Sequence, residues 1–234
     1  MNAEATTSNT RVLVWDLPVR VFHWLMVASF ALAWLTAESE RWRLVHVTLG
    51  YTMAGLVAFR IVWGLVGSKP ARFASFVRGP AAVKAYLLSL RARQPEHHTG
   101  HNPAGALAIV GLLGLTALTT AFGWAAYNEL GGEWLAEGHE VLANTMILLV
   151  GVHLLGVVSG SLAHGENLAR AMVTGRKAGQ PQEAAERSAW PLGVLLLVAV
   201  LGFWAWQWQT APAAPATSLS GLISSLREHD HDDD

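Results

Sequence analysis

Four histidines of this 234-residue chain, His23, His46, His139 and His153, sit inside or at the edge of strongly apolar runs. An ionisable side chain at membrane depth is costly, so each of the four marks a site by default. Neutral imidazole nitrogen binds zinc, copper or iron. Spacing narrows the choice. His139 and His153 are 14 residues apart, which in a helix is about 21 Å of rise and about 40° short of four full turns. Both rings therefore leave one face at two depths and cannot converge on one ion. A mononuclear centre would need three or four ligands at one level, whereas two separate two-ligand centres use all four histidines.

The elements that must carry these rings are membrane spans. Hydrophobic residues make up 52% of the chain, charged residues only 14%, and the mean hydropathy is +0.33. A soluble domain of ordinary composition carries about 25% charged residues. Five apolar runs, 21–37, 45–66, 104–127, 141–163 and 190–210, are each near the roughly 20 residues that cross a hydrocarbon core. Helix is expected to begin near Pro18, since proline suits a first helical turn. The polar faces that a soluble helical bundle would show at helical period are largely missing from these runs. The fold class is thus all-α: a polytopic transmembrane bundle with a four-helix core and a fifth, C-terminal span. Residues 1–10 lack the layout of a cleaved signal peptide, so the first run is expected to remain as an anchor. The expected units are 1–178 for the four-helix domain, 179–210 for a linker and the fifth span, and 211–234 for a polar, acidic tail.

Loop charge orients the spans. The segments 1–20, 67–101 and 164–189 hold twelve Lys and Arg, against Arg41, Arg43 and Arg227 on the opposite side. This bias predicts a cytoplasmic N-terminus and an extracytoplasmic C-terminus. Within the longest internal loop, 81–90 has the pattern of a short amphipathic helix lying on the membrane surface. The alternating direction of the spans then pairs the histidines. His46 falls with His139 near the outer face, and His23 with His153 nearer the inner face. Two bis-histidine sites stacked across the bilayer suit two haems, and Gly50, Gly55, Gly111, Gly114, Gly151 and Gly156 supply room beside them. The absence of cysteine excludes disulfides, cysteine-ligated iron–sulfur clusters and covalently attached haem c. A net charge of −1 provides no field for nucleic acid.

Arg20 and Arg60 are the basic groups nearest the inner pair, and guanidinium pairs bidentately with carboxylates such as haem propionates. His97, His98 and His101 read as solvated loop histidines, with His164 just past the fourth run.

Several motifs occur together in order. Val14-Trp15-Asp16-Leu17-Pro18-Val19-Arg20-Val21-Phe22-His23-Trp24, His46-Val47-Thr48-Leu49-Gly50-Tyr51, Arg60-Ile61-Val62-Trp63-Gly64, Ala71-Arg72-Phe73 and Asn102-Pro103-Ala104-Gly105 precede the His139/His153 pair. Over residues 11–178 this resembles the bacterial cytochrome b-561 and nickel–iron hydrogenase b-subunit family. The resemblance implies two haems b with the same four axial ligands, exchanging electrons with the quinone pool. It also implies cofactor contacts from Arg20, Arg60, Arg72 and Asn102. The family core has four helices, so the fifth span and acidic tail are additions.

Bis-histidine ligation leaves iron no open position, which favours electron relay over oxygen chemistry. The expected partners are the lipid bilayer, a quinone and an extracytoplasmic redox protein such as a c-type cytochrome or hydrogenase, and a homo-oligomer stays open. A quinone on the cytoplasmic side would lie near His101, Asn102 and His153. The resemblance also admits a self-sufficient superoxide:quinone oxidoreductase. A reading from another class is a non-redox transporter or metal sensor that uses the tail residues His229 and His231 among aspartates.

Overall fold

A computed structural model of the chain describes residues 10–92, 96 and 98–211. Five long apolar helices dominate: α1 Leu17–Thr36, α2 Arg43–Val66, α5 Pro103–Tyr127, α6 Trp134–His164 and α8 Trp190–Thr210. In hydrocarbon each backbone polar group needs an internal partner, which a helix provides along its whole length. Their starts are written locally. Asp16 caps α1 by accepting from Val19 N at 2.9 Å, and Asn102 caps α5 by accepting from Gly105 N at 2.7 Å. Proline stands at the first or second position of α1, α5 and α8, where the missing N–H removes no helical bond. Outward-facing side chains are large and apolar, Leu155 and Leu162 among the most exposed, as a lipid-facing surface requires.

Short connections make α1 and α2, and α5 and α6, antiparallel neighbours; α5 also lies along α2, and α8 starts beside the start of α1 and runs parallel to it. α6 makes little close backbone contact with α1 or α2, which leaves a gap between the faces that carry histidine. The residues between α1 and α2 and between α5 and α6 form one end of the bundle, here the hairpin end. The other, ribbon end collects the short elements: β1 Arg11–Leu13, α3 Phe73–Phe76, α4 Pro80–Arg91, α7 Leu168–Thr174 and β2 Arg176–Ala178. β1 and β2 pair antiparallel with Val12 opposite Lys177. Gly175, at φ +78°, offers its carbonyl to both Val14 N and Trp15 N, and a Cβ there would stand 2.7 Å from Trp15 O. A left-handed turn in such close contact with backbone demands glycine.

The fourth expected span, 141–163, proves to be part of a longer helix that begins at Trp134. His139 is thereby lifted into its second turn. The expected surface helix at 81–90 is α4. The fifth span is packed into the bundle: Trp204 Nε1 on α8 donates to Thr52 Oγ1 on α2 at 2.8 Å. His97, Arg93 and the tail from 212 onward, with His229 and His231, lie outside the described residues.

Candidate functional site

At the hairpin end, His46 on α2 and His139 on α6 face each other across the gap with ring centroids 6.1 Å apart and planes at 78°. A metal–imidazole bond is about 2 Å, and a ring centroid lies about 1 Å behind its nitrogen. Two imidazoles that share one metal ion therefore place their centroids roughly 6 Å apart. Each ring is oriented by backbone. His46 Nδ1 lies 2.8 Å from Ala33 O on α1, and His139 Nδ1 lies 2.9 Å from Thr119 O on α5. A carbonyl can only accept, so both Nδ1 atoms carry the proton and both Nε2 lone pairs are left for a ligand. Four helices thus fix two rings.

Gly123 on α5 makes this possible. A Cβ built there would stand 2.7 Å from His139 Nδ1 and 2.8 Å from its Cε1. Gly123→Ala is therefore expected to push the ring off its axis and to lower haem retention. Gly202→Ala on α8, where nothing stands within 4 Å, is the matched control, and the haem-to-protein ratio of each purified variant is the readout. Of the glycines expected to make room, Gly50, Gly55, Gly114, Gly151 and Gly156 border open space. At Gly111 a Cβ would instead meet Leu149 on α6 at 3.1 Å, so this glycine serves helix packing.

The ribbon end is chemically different. His23 on α1 and His153 on α6 are half-buried and within charge–charge range of each other. His101, expected to be solvated, is instead clasped between Trp15 at 4.3 Å and Phe76 at 4.6 Å, and lies within charge–charge range of Arg60, Lys177, His153 and His23. Burial first, then these cations, pushes its pKa down to about 3. Arg60 is 2% exposed. Its Nη2 donates to Ala71 O at 3.0 Å, and its guanidinium lies over the Phe73 ring at 4.8 Å. Gly64 lets that ring lie flat on α2, since a Cβ there would meet it within 2.6 Å. Lys177 is also buried. Its Nζ donates to His98 O at 2.9 Å with the Glu166 carboxylate 3.8 Å away, and burial lowers its pKa while Glu166 opposes the shift.

Four buried polar atoms of this end have no hydrogen-bond partner in the protein: Arg20 Nε, His23 Nδ1, Arg60 Nη1 and His101 Nδ1. Orphaned buried donors are rare, and four of them around one histidine pair fit a bound group that carries anionic or carbonyl oxygens. The residues suit haem: two imidazoles at shared-metal spacing at the hairpin end, and His23 and His153 within charge–charge range beside cationic donors for propionates at the ribbon end. Among the described residues no cluster of three or more His, Cys, Asp or Glu converges as a metal site.

The remaining site residues divide. Arg20 donates through Nη2 to Val173 O. Arg72 stands exposed at the start of α3. Asn102 has its carbonyl engaged as the α5 cap. Asp16, to which sequence reasoning gave no role, is fully buried and receives Val19 N, Trp63 Nε1 at 3.0 Å and Ser68 Oγ at 2.5 Å. It pins the start of α1, and hence His23, to the end of α2. Its place two residues before a proline at the head of an apolar run was the available signal.

Because His101 stays neutral in the fold well below the ordinary histidine pKa of about 6.5, the unfolded chain binds its proton first as pH falls. The resulting stability is complete above about pH 6.5 and is lost progressively toward pH 3. The unfolding midpoint is expected to fall across that window, and less steeply in His101→Phe. Parallel curves for the two proteins would contradict the burial.

The sequence pattern of the prokaryotic cytochrome b561 family matches residues 14–175. Similar proteins include the probable Ni/Fe-hydrogenase 1 B-type cytochrome subunit of Escherichia coli, 26% identical over 142 residues, covering 50% of this chain and 60% of the relative. The probable Ni/Fe-hydrogenase B-type cytochrome subunit of Rhodobacter capsulatus is 26% identical over 158 residues, covering 56% and 60%. That of Bradyrhizobium diazoefficiens is 22% identical over 221 residues, covering 75% and 90%. The matches to the first two thus span about three fifths of those relatives' length. No solved structure matches the chain. With five apolar helices and a facing histidine pair between them, the chain belongs to the prokaryotic cytochrome b561 family, as a multi-pass membrane protein.

Proposed function

We propose that the protein relays electrons across the membrane through two haems b, one held by His46 and His139 and one by His23 and His153, between a quinone and an extracytoplasmic redox partner. The observation that carries this reading is the His46–His139 pair, spaced at 6.1 Å for a shared iron with both Nδ1 atoms held by carbonyls. When bound, haem supplies one-electron chemistry; the protein holds, orients and insulates it. His46 and His139 present fixed lone pairs, and their Nδ1–H bonds strengthen them as ligands. At the ribbon end, Arg60 and Arg20 offer the unpartnered nitrogens that propionate carboxylates would take.

The ribbon end carries the basic loops, and under the positive-inside rule we take it as the cytoplasmic side. A quinone is proposed at that end, where neutral His101 holds an unpartnered Nδ1 near His23 and His153. The names of the relatives support a hydrogenase as the partner, and the hairpin end is the face we propose for it. Adding a quinol analogue to the purified protein under anaerobic conditions tests the quinone link. Reduction of the b-type absorbance is expected, and a protein that dithionite reduces but quinol does not would contradict it. Co-elution of a hydrogenase from native membranes tests the partner. Superoxide-dependent quinone reduction by the isolated chain would instead favour a self-sufficient oxidoreductase.

A further inference from the structure

A cavity of about 710 Å³ lies between α4 and the first turns of α5, away from the histidine pairs. α4 turns one face inward, with Tyr86 2% exposed and its ring 5.7 Å from that of His98. Its other face repeats at Pro80, Val83/Lys84, Leu87/Leu88 and Arg91, the three-and-four spacing of one helical stripe. That stripe, with Leu107 and Val110 of α5, gives the cavity an apolar wall. Its rim is cationic: Arg78, Lys84 and Arg91 line it, and no acidic residue does among the described residues. Arg78 Nη2 donates to Ser75 O at 3.2 Å, which turns its guanidinium along the rim. The α5 wall begins one turn past the Asn102 cap, at Ala106, and runs to Val110, about 6 Å of helix. The cavity therefore occupies the outermost layer of a leaflet, where headgroups give way to acyl chains.

We propose that this cavity is a binding site for an anionic phospholipid, its phosphate held by Arg78, Lys84 and Arg91 and its upper acyl segments lying against Val83, Leu87, Leu107 and Val110. Three positive charges without a counter-charge select an anion, and an apolar wall opening toward the hydrocarbon selects one that carries chains. A quinone ring needs neutral donors and would leave the three cations uncompensated. Basic pockets between helices at the membrane surface are known to suit such headgroups. The bound lipid would tie α4 to α5 and so brace the loop that carries Phe76 and His101.

The test is native mass spectrometry of the haem-loaded protein with phosphatidylglycerol or phosphatidylcholine added at equal concentration. Retention of phosphatidylglycerol in preference to phosphatidylcholine is expected. Each basic side chain near an anionic lipid strengthens binding about fivefold, so Lys84→Gln with Arg91→Gln should lower retention more than tenfold. The haem spectrum should be unchanged, since both side chains are exposed. Leu107→Trp, which fills the cavity without altering charge, should also displace the lipid. Equal retention of the two lipids overturns the proposal, as does retention that survives both variants. A quinone analogue that displaces phosphatidylglycerol at equal concentration would also overturn it, by making the cavity a quinone site.

Discussion

Replacing His153 with alanine is expected to remove one of two haems and leave the other, so that the reduced-minus-oxidised b-type absorbance per polypeptide falls by about half. His153 and His139 share α6 but lie about 21 Å apart along it, and the hairpin-end pair is positioned by Ala33 and Thr119, neither of which His153 touches. Distant sites of this kind respond independently, whereas partners at one site do not. The expectation therefore extends to combinations. His23→Ala should copy His153→Ala, and the two together should do no further harm, because each already empties the same site. His46→Ala with His153→Ala should leave no haem. A pattern in which His23→Ala and His153→Ala add, or in which either single change empties both sites, would break the pairing.

The second large effect is expected on redox potential. The two ends differ in charge. Among the described residues the hairpin loops hold Glu38, Glu40 and Glu129 to Glu137 against Arg41 and Arg43. The ribbon end holds Arg20, Arg60 and Lys177 close to the His23–His153 pair, with Asp16 and Glu166 as their counter-charges. Positive potential favours the reduced, less positive state of iron. The hydrogen bonds that make His46 and His139 stronger ligands favour the oxidised state at the other end. The ribbon-end site should therefore titrate at the higher potential. Arg60→Gln, which removes a buried charge with a free Nη1, should lower it by tens of millivolts, the order set by a unit charge at protein dielectric. Measured in the His46→Ala background, where only the ribbon-end site remains, the shift is read on one component. A shift confined to the hairpin-end site in the otherwise unaltered chain would contradict this account.

Much of this architecture was legible in the sequence because a bilayer imposes strong, local rules. Uncharged runs of fixed length announce spans, so the five helices could be read from the sequence, and a histidine in such a run marks a candidate site. α4 was legible through its amphipathic stripe. The missed features are non-local. β1 and β2 are three residues each and pair across more than 160 positions, too short for any periodicity to appear. The start of α6 was set too late because Glu137, Gly138, His139 and Glu140 interrupt the apolar run. His101 looked like a polar loop residue, and its burial depends on Trp15 and Phe76 arriving from two other segments. Gly123 sits in a run with other small residues, and only the His139 ring brought against it explains why no side chain fits there.

Everything turns on whether imidazoles from facing helices clasp iron at two levels of the bilayer. The direct measurement is the haem b content per polypeptide of the protein purified from haem-replete membranes. Two haems per chain are expected; one, or a colourless protein, would contradict the account.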